Sequence, residues 1–385
     1  MIATSHLIFS NVSNLLSGLI MSDTRFYPLK ISAVTPETET AICISFNVPA
    51  ELKETFAFTQ GQFLTLSATI DGKDVRRAYS ICSGVDDGAL KVGIKRVDGG
   101  VFSNYANDNF KPGTQVNVLP PQGSFFTQLN SDNQKRYMCL AVGSGITPIL
   151  SITKSILSRE PKSFVTLLYG NRQTSQMMFK EELSFLKNHY LERLQLIHIM
   201  SMEDQGTDLL AGRIDNKKGY KLQKLGLINI KNTDDVFICG PESMMSEVSH
   251  GFRQEGLSDD SIHYELFGSS ADDAQEALKK AKARREKFGD DKASKISLRA
   301  DGRMITFPLS TVGENILDAG MRNGIELPYS CKAGVCSTCK AKLVKGTVDM
   351  DISHGLEPHE IEAGYILTCQ SHPTSDEVEV DFDKR

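Results

Sequence analysis

Four cysteines near the end of the chain have the spacing of a metal site. Cys331, Cys336 and Cys339 follow the pattern C-x4-C-x2-C, and Cys369 comes after 29 intervening residues. Thiolate sulfur suits both iron-sulfur clusters and zinc. Zinc sites usually combine two C-x2-C pairs, whereas one tight loop with a distant fourth cysteine is typical of plant-type 2Fe-2S clusters. The spacing therefore favours a 2Fe-2S cluster over zinc or over four unliganded core cysteines.

A second group of chemically suited residues is the stretch Arg77-Ala78-Tyr79-Ser80. Side chains two apart in a strand share a face, so Arg77 and Tyr79 together can address a phosphate and a ring system. Further on, Gly99 and Gly100 precede Ser103 at a predicted helix start, where free N–H groups favour phosphate. Each pattern also has an ordinary interpretation: a surface Arg-Tyr pair, and a glycine turn with an N-cap serine.

A third pattern, "AVGSGITPILS" at 141–151, has a Gly-x-Gly turn between a strand and a helix. That context suits the pyrophosphate of a dinucleotide. Pro148 stands where the usual fingerprint has its third glycine, which points away from a standard dehydrogenase. Cys239 in "FICGPESMM" follows another predicted strand and so lies at the edge where such folds bind ligands. Taken alone, Cys239 is more typical of a buried core cysteine.

Composition excludes several other classes of protein. The chain has 385 residues, 40% hydrophobic and 24% charged, with net charge −5, which does not indicate a nucleic-acid binder or a disordered chain. It has no run of 18 apolar residues, so we expect no membrane span. The first twenty residues lack the charged start of a secretory signal, and Met21 is the predicted natural start. We therefore expect a reducing cytoplasm and no disulfides.

The elements that must position these residues fall into a multidomain fold. Alternating short runs over 27–125 predict an antiparallel β-barrel. Buried strands that alternate with helices over 135–268 predict a doubly wound α/β sheet. Residues 270–293 are charged and Ala-rich, with Gly289 as a plausible C-cap, and predict a linker helix. The predicted boundaries are 1–22 for an N-terminal extension, 23–128 for the barrel, 129–269 for the α/β domain, 270–293 for the linker and 294–385 for an α+β domain.

The order of the motifs resembles the ferredoxin-NADP reductase family over residues 27–268, and residues 294–385 resemble a plant-type ferredoxin with a β-grasp fold. The first resemblance implies bound FAD and a nicotinamide dinucleotide. The segment "YELFG" matches the Glu-x-aromatic ending of the reductases, although Phe stands in place of the terminal Tyr and the chain continues. For the flavin, the resemblance implies that Arg77, Gly100 and Ser103 contact the pyrophosphate, that Tyr79 stacks on the ring, that Ser80 lies near N5 and that Phe267 shields one face. For the dinucleotide, it implies that Gly143, Gly145 and Thr147 form the binding loop and that Cys239 lies beside the nicotinamide. It places Glu265 near the path of the hydride.

The expected coenzyme is NADPH. Arg172 follows the second strand of the α/β domain, from which a guanidinium can grip a 2′-phosphate. Ser201 matches a serine that the family uses for that phosphate, but Met202 stands where NADPH-specific members often have Arg. Arg172 also fits a solvated cation in a turn.

A reductase followed by a ferredoxin predicts an electron path from NADPH through FAD and the 2Fe-2S cluster to an outside acceptor, since hydride carries two electrons and the cluster takes one. The layout most resembles the reductases of phenylacetyl-CoA epoxidases, bacterial multicomponent monooxygenases, which implies oxygenase subunits with a di-iron centre as partners. Reductases of Rieske-type ring or steroid hydroxylases share the layout. A non-catalytic iron-sulfur sensor and a reductase that releases free reduced flavin are further alternatives.

Overall fold

The computed structural model describes residues 25–268, 271–289 and 292–384. The predicted N-terminal extension, 1–22, and the predicted start at Met21 therefore lie outside the described residues. So do residues 270, 290 and 291 of the predicted linker. None of the helices in the described ranges is long and apolar enough to cross a lipid bilayer.

The first domain is a six-stranded antiparallel sheet with strand order β4-β3-β6-β1-β2-β5. Its elements are β1 (Tyr27–Thr38), β2 (Ala41–Asn47), β3 (Phe63–Ile70), β4 (Lys73–Ser80), β5 (Leu90–Lys95), α1 (Val101–Asn109) and β6 (Gln115–Val118). Alternate side chains point inward and form a core that includes Leu29 and Leu64. A bridge between Ile81 and Val92 joins the two ends of the strand order. The sheet thus closes on itself, which confirms the predicted barrel.

The second domain is a five-stranded parallel sheet with strand order β11-β10-β7-β8-β9. Its elements are β7 (Arg136–Val142), α2 (Ile146–Arg159), β8 (Phe164–Asn171), α3 (Lys180–His189), β9 (Leu194–Met200), α4 (Asn216–Lys224), β10 (Asp235–Cys239), α5 (Glu242–Gln254) and β11 (Ile262–Glu265). Successive strand residues face opposite sides. Cys139 and Phe237 pack with α2 and α3, and Met138 and Ile238 pack with α4 and α5. The predicted doubly wound fold is confirmed.

A charged helix, α6 (Ala271–Phe288), follows this domain. It ends at Gly289, which has φ +72° and donates its N–H to the carbonyl oxygen of Arg285 at 2.9 Å. The predicted helix and its glycine C-cap are both present. Arg284 is only 4% exposed and pairs with Asp349 at 2.5 Å and Asp351 at 2.7 Å. The helix is therefore docked on the third domain through a buried guanidinium.

The third domain is a mixed sheet with strand order β13-β12-β18-β14-β16 beside a two-stranded sheet, β15-β17. Its elements are β12 (Ala293–Ala300), β13 (Arg303–Ser310), α7 (Ile316–Arg322), β14 (Lys340–Lys345), β15 (Val348–Met350), α8 (Pro358–Glu362), β16 (Tyr365–Leu367), β17 (Ser371–Pro373) and β18 (Glu377–Asp381). Ile316 and Leu317 of α7 share a core with Ile296 and Val380 of the sheet. The predicted α+β domain is confirmed.

Helix α2 holds the barrel against the parallel sheet. Ser151 Oγ donates to the carbonyl oxygen of Ser83 at 2.7 Å. Lys154 pairs with Asp87 of the barrel and with Glu182 of α3. These contacts place the ends of β4 and β5 beside the carboxyl edge of the parallel strands, which is the edge where open α/β folds bind ligands.

Candidate active site and cluster site

Strand β4 carries a cation and an aromatic ring on one face. Arg77 and Tyr79 are two residues apart, so they point the same way. Arg77 is exposed, and its guanidinium donates to the carbonyl oxygen of Arg76 at 2.7 Å. The Tyr79 ring lies 5.7 Å from that of Phe102 in α1, and burial raises the pKa of Tyr79 above its ordinary value. A neutral ring beside an exposed cation is suited to a planar group that carries a phosphate.

The start of α1 supplies backbone donors near this strand. Gly100 is the N-cap, and no side chain among the described residues caps the helix, so its first N–H groups remain available to an anion. Ser103 is the third residue of α1, and its Oγ accepts the N–H of Val97 at 3.0 Å. The interpretation of Ser103 as an N-cap serine is therefore wrong. A Cβ at Gly100 would lie 2.7 Å from Ser103 Oγ, which explains the glycine.

The turn between β7 and α2 depends on two glycines. Gly143 has φ +58°, a conformation that favours glycine. A Cβ at Gly145 would lie 2.2 Å from the carbonyl oxygen of Cys239, so only glycine lets α2 approach β10 this closely. Thr147 is buried in the first turn of α2 and donates to the carbonyl oxygen of Ser144 at 3.0 Å. The turn presents the N-terminus of a 14-residue helix at the edge where open α/β folds bind ligands, and such a terminus favours an anion.

Ser80, Cys239 and Glu265 meet where the barrel touches the parallel sheet. Cys239 and Glu265 are paired residues of β10 and β11, and Ser80 Oγ donates to Glu265 Oε2 at 2.9 Å. Burial raises the pKa of the Glu265 carboxyl to about 8, against the Ser80 hydrogen bond, which lowers it. Burial also raises the pKa of the Cys239 thiol. Ser80 and Cys239 are buried and Glu265 is half-buried, so water has little access to the hydroxyl and the thiol of this cluster.

Lys95 is a further cation at this edge that the motifs did not predict. It ends β5, and a Cβ at Gly143 would lie 3.9 Å from its Nζ. Desolvation, followed by the positive charge of Arg172, lowers the pKa of Lys95. Lys95 and Arg172 are therefore neighbours beside the dinucleotide turn, and two adjacent cations favour an anionic ligand. Only the closure of the barrel on the next domain brings them together, so no local pattern marks Lys95.

Ser201 and Arg172 lie at adjacent strand ends. The N–H of Ser201 donates to the carbonyl oxygen of Asn171 at 2.9 Å, and the N–H of Met202 donates to that of Arg172 at 2.8 Å. Both Ser201 and Arg172 are exposed. The two exposed residues thus lie side by side at the carboxyl edge of the parallel strands, with the Met202 side chain also exposed.

Phe267, the residue expected over the flavin face, is 48% exposed. It lies two residues after Glu265 and outside the cores of the first two domains. An exposed ring at this place is available to cover a planar group.

The four cysteines of the third domain form two contacting pairs. The Cys336 thiol, with the N–H groups of Ala333 and Val335, lowers the pKa of Cys331 to about 6; the Ala333 N–H lies 3.3 Å from the sulfur. The Cys339 thiol likewise lowers the pKa of Cys369. The sequence-distant member of the predicted ligand set is therefore beside the loop. In each pair the partner thiol, Cys336 or Cys339, has a raised pKa, so one member of each pair is favoured as the thiolate, which is the metal-binding form.

The cysteine loop fits a two-iron cluster. The thiol pairs Cys331–Cys336 and Cys339–Cys369 would provide two protein sulfurs for each iron of such a cluster. Gly334 has φ +71°, and a Cβ there would lie 2.7 Å from Ile352. The buried hydroxyl of Ser330, beside Cys331, has no hydrogen-bond partner among the described residues. A cluster sulfur would satisfy that donor, which is otherwise costly to bury.

Family models match all three domains. The oxidoreductase FAD-binding domain matches residues 28–127, the oxidoreductase NAD-binding domain residues 139–250, and the 2Fe-2S iron-sulfur cluster binding domain residues 298–374. These matches confirm the expected FAD, nicotinamide dinucleotide and 2Fe-2S cofactors. They do not separate NADPH from NADH.

Similar proteins share the whole layout. The chain is 43% identical to one of the subunits of 1,2-phenylacetyl-CoA epoxidase of Escherichia coli (strain K12), over 94% of this chain and 99% of that protein. It is 34% identical to the ferredoxin reductase component of 3-ketosteroid-9-alpha-monooxygenase of Rhodococcus rhodochrous, over 92% and 96%. The solved structure of phthalate dioxygenase reductase shares the fold, with a TM-score of 0.56, 21% identity and coverage of 92% and 98%. The chain belongs to the family of oxygenase reductase components, in which an FAD-binding and an NAD-binding domain of the ferredoxin-NADP reductase type precede a 2Fe-2S domain.

Proposed function

We propose that this chain passes electrons from NADPH, through FAD and a 2Fe-2S cluster, to the di-iron oxygenase that epoxidises phenylacetyl-CoA. The observation that carries the proposal is the Ser80–Glu265 hydrogen bond of 2.9 Å, because it joins the predicted flavin strand to the predicted nicotinamide edge. A sensor without turnover would not require that junction. The relative that is 43% identical is named as part of a phenylacetyl-CoA epoxidase, which supports this acceptor over a steroid hydroxylase.

The barrel residues hold the flavin. Arg77 and the start of α1, with Ser103, bind its pyrophosphate, and Tyr79 stacks on its ring. Ser80 offers a hydroxyl near flavin N5. When bound, the flavin accepts electrons in pairs from the nicotinamide and releases them singly to the cluster.

The α/β domain holds the nicotinamide dinucleotide. Gly143, Gly145 and Thr147 shape the turn that receives the pyrophosphate, and Lys95 adds positive charge beside it. Cys239 and Glu265 line the nicotinamide end and exclude water. Because its pKa is about 8, Glu265 holds a proton at neutral pH and places no full negative charge there.

The preference for NADPH rests on Arg172 and Ser201, which lie together at exposed strand ends. We expect Arg172→Gln to lower kcat/KM for NADPH by about 10- to 100-fold, since a charge-assisted hydrogen bond contributes roughly 1.5–3 kcal/mol. The value for NADH should change by less than about threefold. Steady-state reduction of an artificial acceptor with each coenzyme measures both. Equal losses for the two coenzymes would place Arg172 at a shared phosphate instead of the 2′-phosphate.

We also propose the domain limits 23–128, 129–269 and 294–385, with 270–293 as a docked linker, and a cytoplasmic location. The strands of the first two sheets fall inside these limits, and in the third domain only β12 begins one residue earlier, at Ala293. The four paired thiols call for a reducing compartment.

The test begins with anaerobic addition of NADPH to the purified protein. We expect the flavin to bleach and the low-temperature EPR signal of a reduced 2Fe-2S cluster to appear. A second step adds the candidate di-iron oxygenase and phenylacetyl-CoA in the presence of dioxygen and measures the epoxide. A flavin that bleaches beside a cluster that stays oxidised would favour a sensor, and flavin that separates from the protein on gel filtration would favour a free-flavin reductase.

If the cluster is reduced but only a Rieske-type hydroxylase accepts its electrons, the acceptor in this proposal is wrong and the internal electron path is right. The two steps therefore fail separately.

A further inference from the structure

Arg76 connects the barrel to the cysteine loop of the third domain. It precedes Arg77 in β4 and so lies on the opposite face of the strand. Its side chain is only 12% exposed. The centre of its guanidinium lies 4.2 Å from the ring centroid of Tyr329 and 4.7 Å from that of Phe26. One cation is therefore in contact with an aromatic ring of each domain.

In the sequence, Arg76 and Tyr329 each lie close to residues of a proposed redox site. Tyr329 comes two residues before Cys331, and Arg76 comes three residues before Tyr79. Asp74 accepts a hydrogen bond from Arg76 Nε at 2.7 Å, which orients the guanidinium. Lys332 Nζ lies 4.5 Å from the Tyr329 centroid, so the ring is held by cations from both domains.

We propose that Arg76 is a positioning residue for electron transfer within the chain: by stacking on Tyr329 it holds the cysteine loop against β4. The inference rests on the proposed roles of β4 and the cysteine loop. The step that it serves moves one electron from the reduced flavin to the oxidised cluster, and no bond is formed or broken. Because the rate of such a step falls steeply with distance, the contact that fixes the loop also fixes the rate.

The chemistry of arginine suits this task. A guanidinium is planar and weakly hydrated, so it stacks on rings, whereas a lysine ammonium does not stack in the same way. A single cation–ring contact contributes modestly at exposed sites and more when desolvated. A single cation–ring contact is strong enough to position the cysteine loop on the barrel. It is also weak enough for the loop to separate from the barrel, which is necessary if the cluster is to reach an outside acceptor.

The test uses five variants of the full chain with its cofactors bound. Arg76→Gln and Tyr329→Leu each remove the stack, and the double variant removes both partners. Tyr329→Phe keeps the ring. Arg136→Gln is the matched control, because Arg136 stacks on Phe164 at 5.0 Å and both residues belong to the α/β domain.

Two measurements are made on each protein. Flash photoreduction of the flavin times the flavin-to-cluster step without NADPH. Hydrogen exchange of residues 326–338 reports whether the loop remains docked and does not depend on activity. We expect Arg76→Gln and Tyr329→Leu to slow cluster reduction by about 2- to 30-fold, the factor that corresponds to a cation–ring contact, and to speed exchange of the loop.

The double variant should be no slower than the slower single variant, since both remove one contact. Tyr329→Phe and Arg136→Gln should match the unaltered protein within twofold. The proposal is overturned if both single variants keep the original rate and exchange, or if their effects multiply in the double variant. If the unaltered protein transfers no electron to its cluster, the proposed function fails, while the exchange measurement still decides whether Arg76 docks the loop.

Discussion

The pKa of Glu265 is raised because its half-buried carboxyl is desolvated where two domains meet. Its pKa rises from 4.5 to about 8 in the folded chain, so the folded state binds the proton more tightly than the unfolded state does. The contribution of Glu265 to the free energy of unfolding is therefore fully present below pH 4.5 and is lost as the pH rises through 8.

We predict that Glu265→Gln gains stability relative to the unaltered protein as the pH rises from 5 to 9. The amide cannot ionise, so the variant avoids a buried carboxylate; the gain should be on the order of 1–3 kcal/mol. Urea unfolding of flavin-free protein at pH 5, 7 and 9 measures it. Glu326→Gln, at an exposed position, is the control and should show no such trend. A difference between Glu265→Gln and the original protein that is the same at all three pH values would contradict the buried carboxyl.

Single residues differ in how far the sequence reveals them. The proposed cluster ligands were found from the spacing of Cys331, Cys336 and Cys339, since one short loop must wrap the metal. The Ser80–Glu265 bond joins residues 185 positions apart, and no local pattern encodes a contact of that range. Lys95 was missed for the same reason.

At the scale of elements, the packing of α2 on β10 depends on Gly145, which has no side chain. We predict that Gly145→Ala lowers the free energy of unfolding by about 1–3 kcal/mol, because its Cβ would lie 2.2 Å from the Cys239 carbonyl oxygen. Gly219→Ala in α4 is the control. Its Cβ would meet nothing within 4 Å, so it should be neutral or stabilising by up to about 1 kcal/mol. Urea unfolding measures the free energy for both variants. Equal changes in the two would show that α2 moves away from β10 at little cost and would contradict the prediction.

Helix α6 offers a second prediction at this scale. Arg284→Met leaves Asp349 and Asp351 without their buried cation and should lower the stability of the third domain by about 2–4 kcal/mol. Cluster loss during urea unfolding, together with proteolysis within α6, reports the change. Lys282→Met is the control, because the Lys282 side chain is 79% exposed and should have little effect. Equal proteolysis of the two variants would contradict the docking of α6.

The charge pattern of 270–293 predicted a helix and its C-cap, both of which depend on local sequence. It did not predict where the helix would lie. The carboxylates that bind Arg284 come from β15, a three-residue strand too short to show periodicity, and from the residue after it. Only the three-dimensional structure therefore shows that α6 packs on the third domain.

At the scale of the whole molecule, loss of the cluster in the third domain should leave flavin reduction in the first two domains unchanged. We predict that Cys336→Ser abolishes the cluster and its EPR signal, while NADPH still bleaches the flavin at the original rate. The reason is that the barrel and the α/β domain have their own interface through α2. Ser337→Ala, in the same loop, is the control and should keep the cluster. Loss of flavin reduction together with the cluster would contradict this independence.

The order and type of the three domains were predictable because each has its own periodicity and motif. The contacts between them were not, since Arg76 and Tyr329 belong to no motif and meet only when two folded surfaces come together. Interfaces of this kind depend on shape, which a single sequence does not display.

The long separation of Ser80 and Glu265 also affects how the protein is made. The ribosome adds the last residue of β4 185 residues before it adds the carboxylate that closes the catalytic edge. At about 5–20 residues per second, this interval is roughly 10–40 s. During synthesis, proteases, oxidants and chaperones therefore meet a surface of the barrel that the finished protein covers.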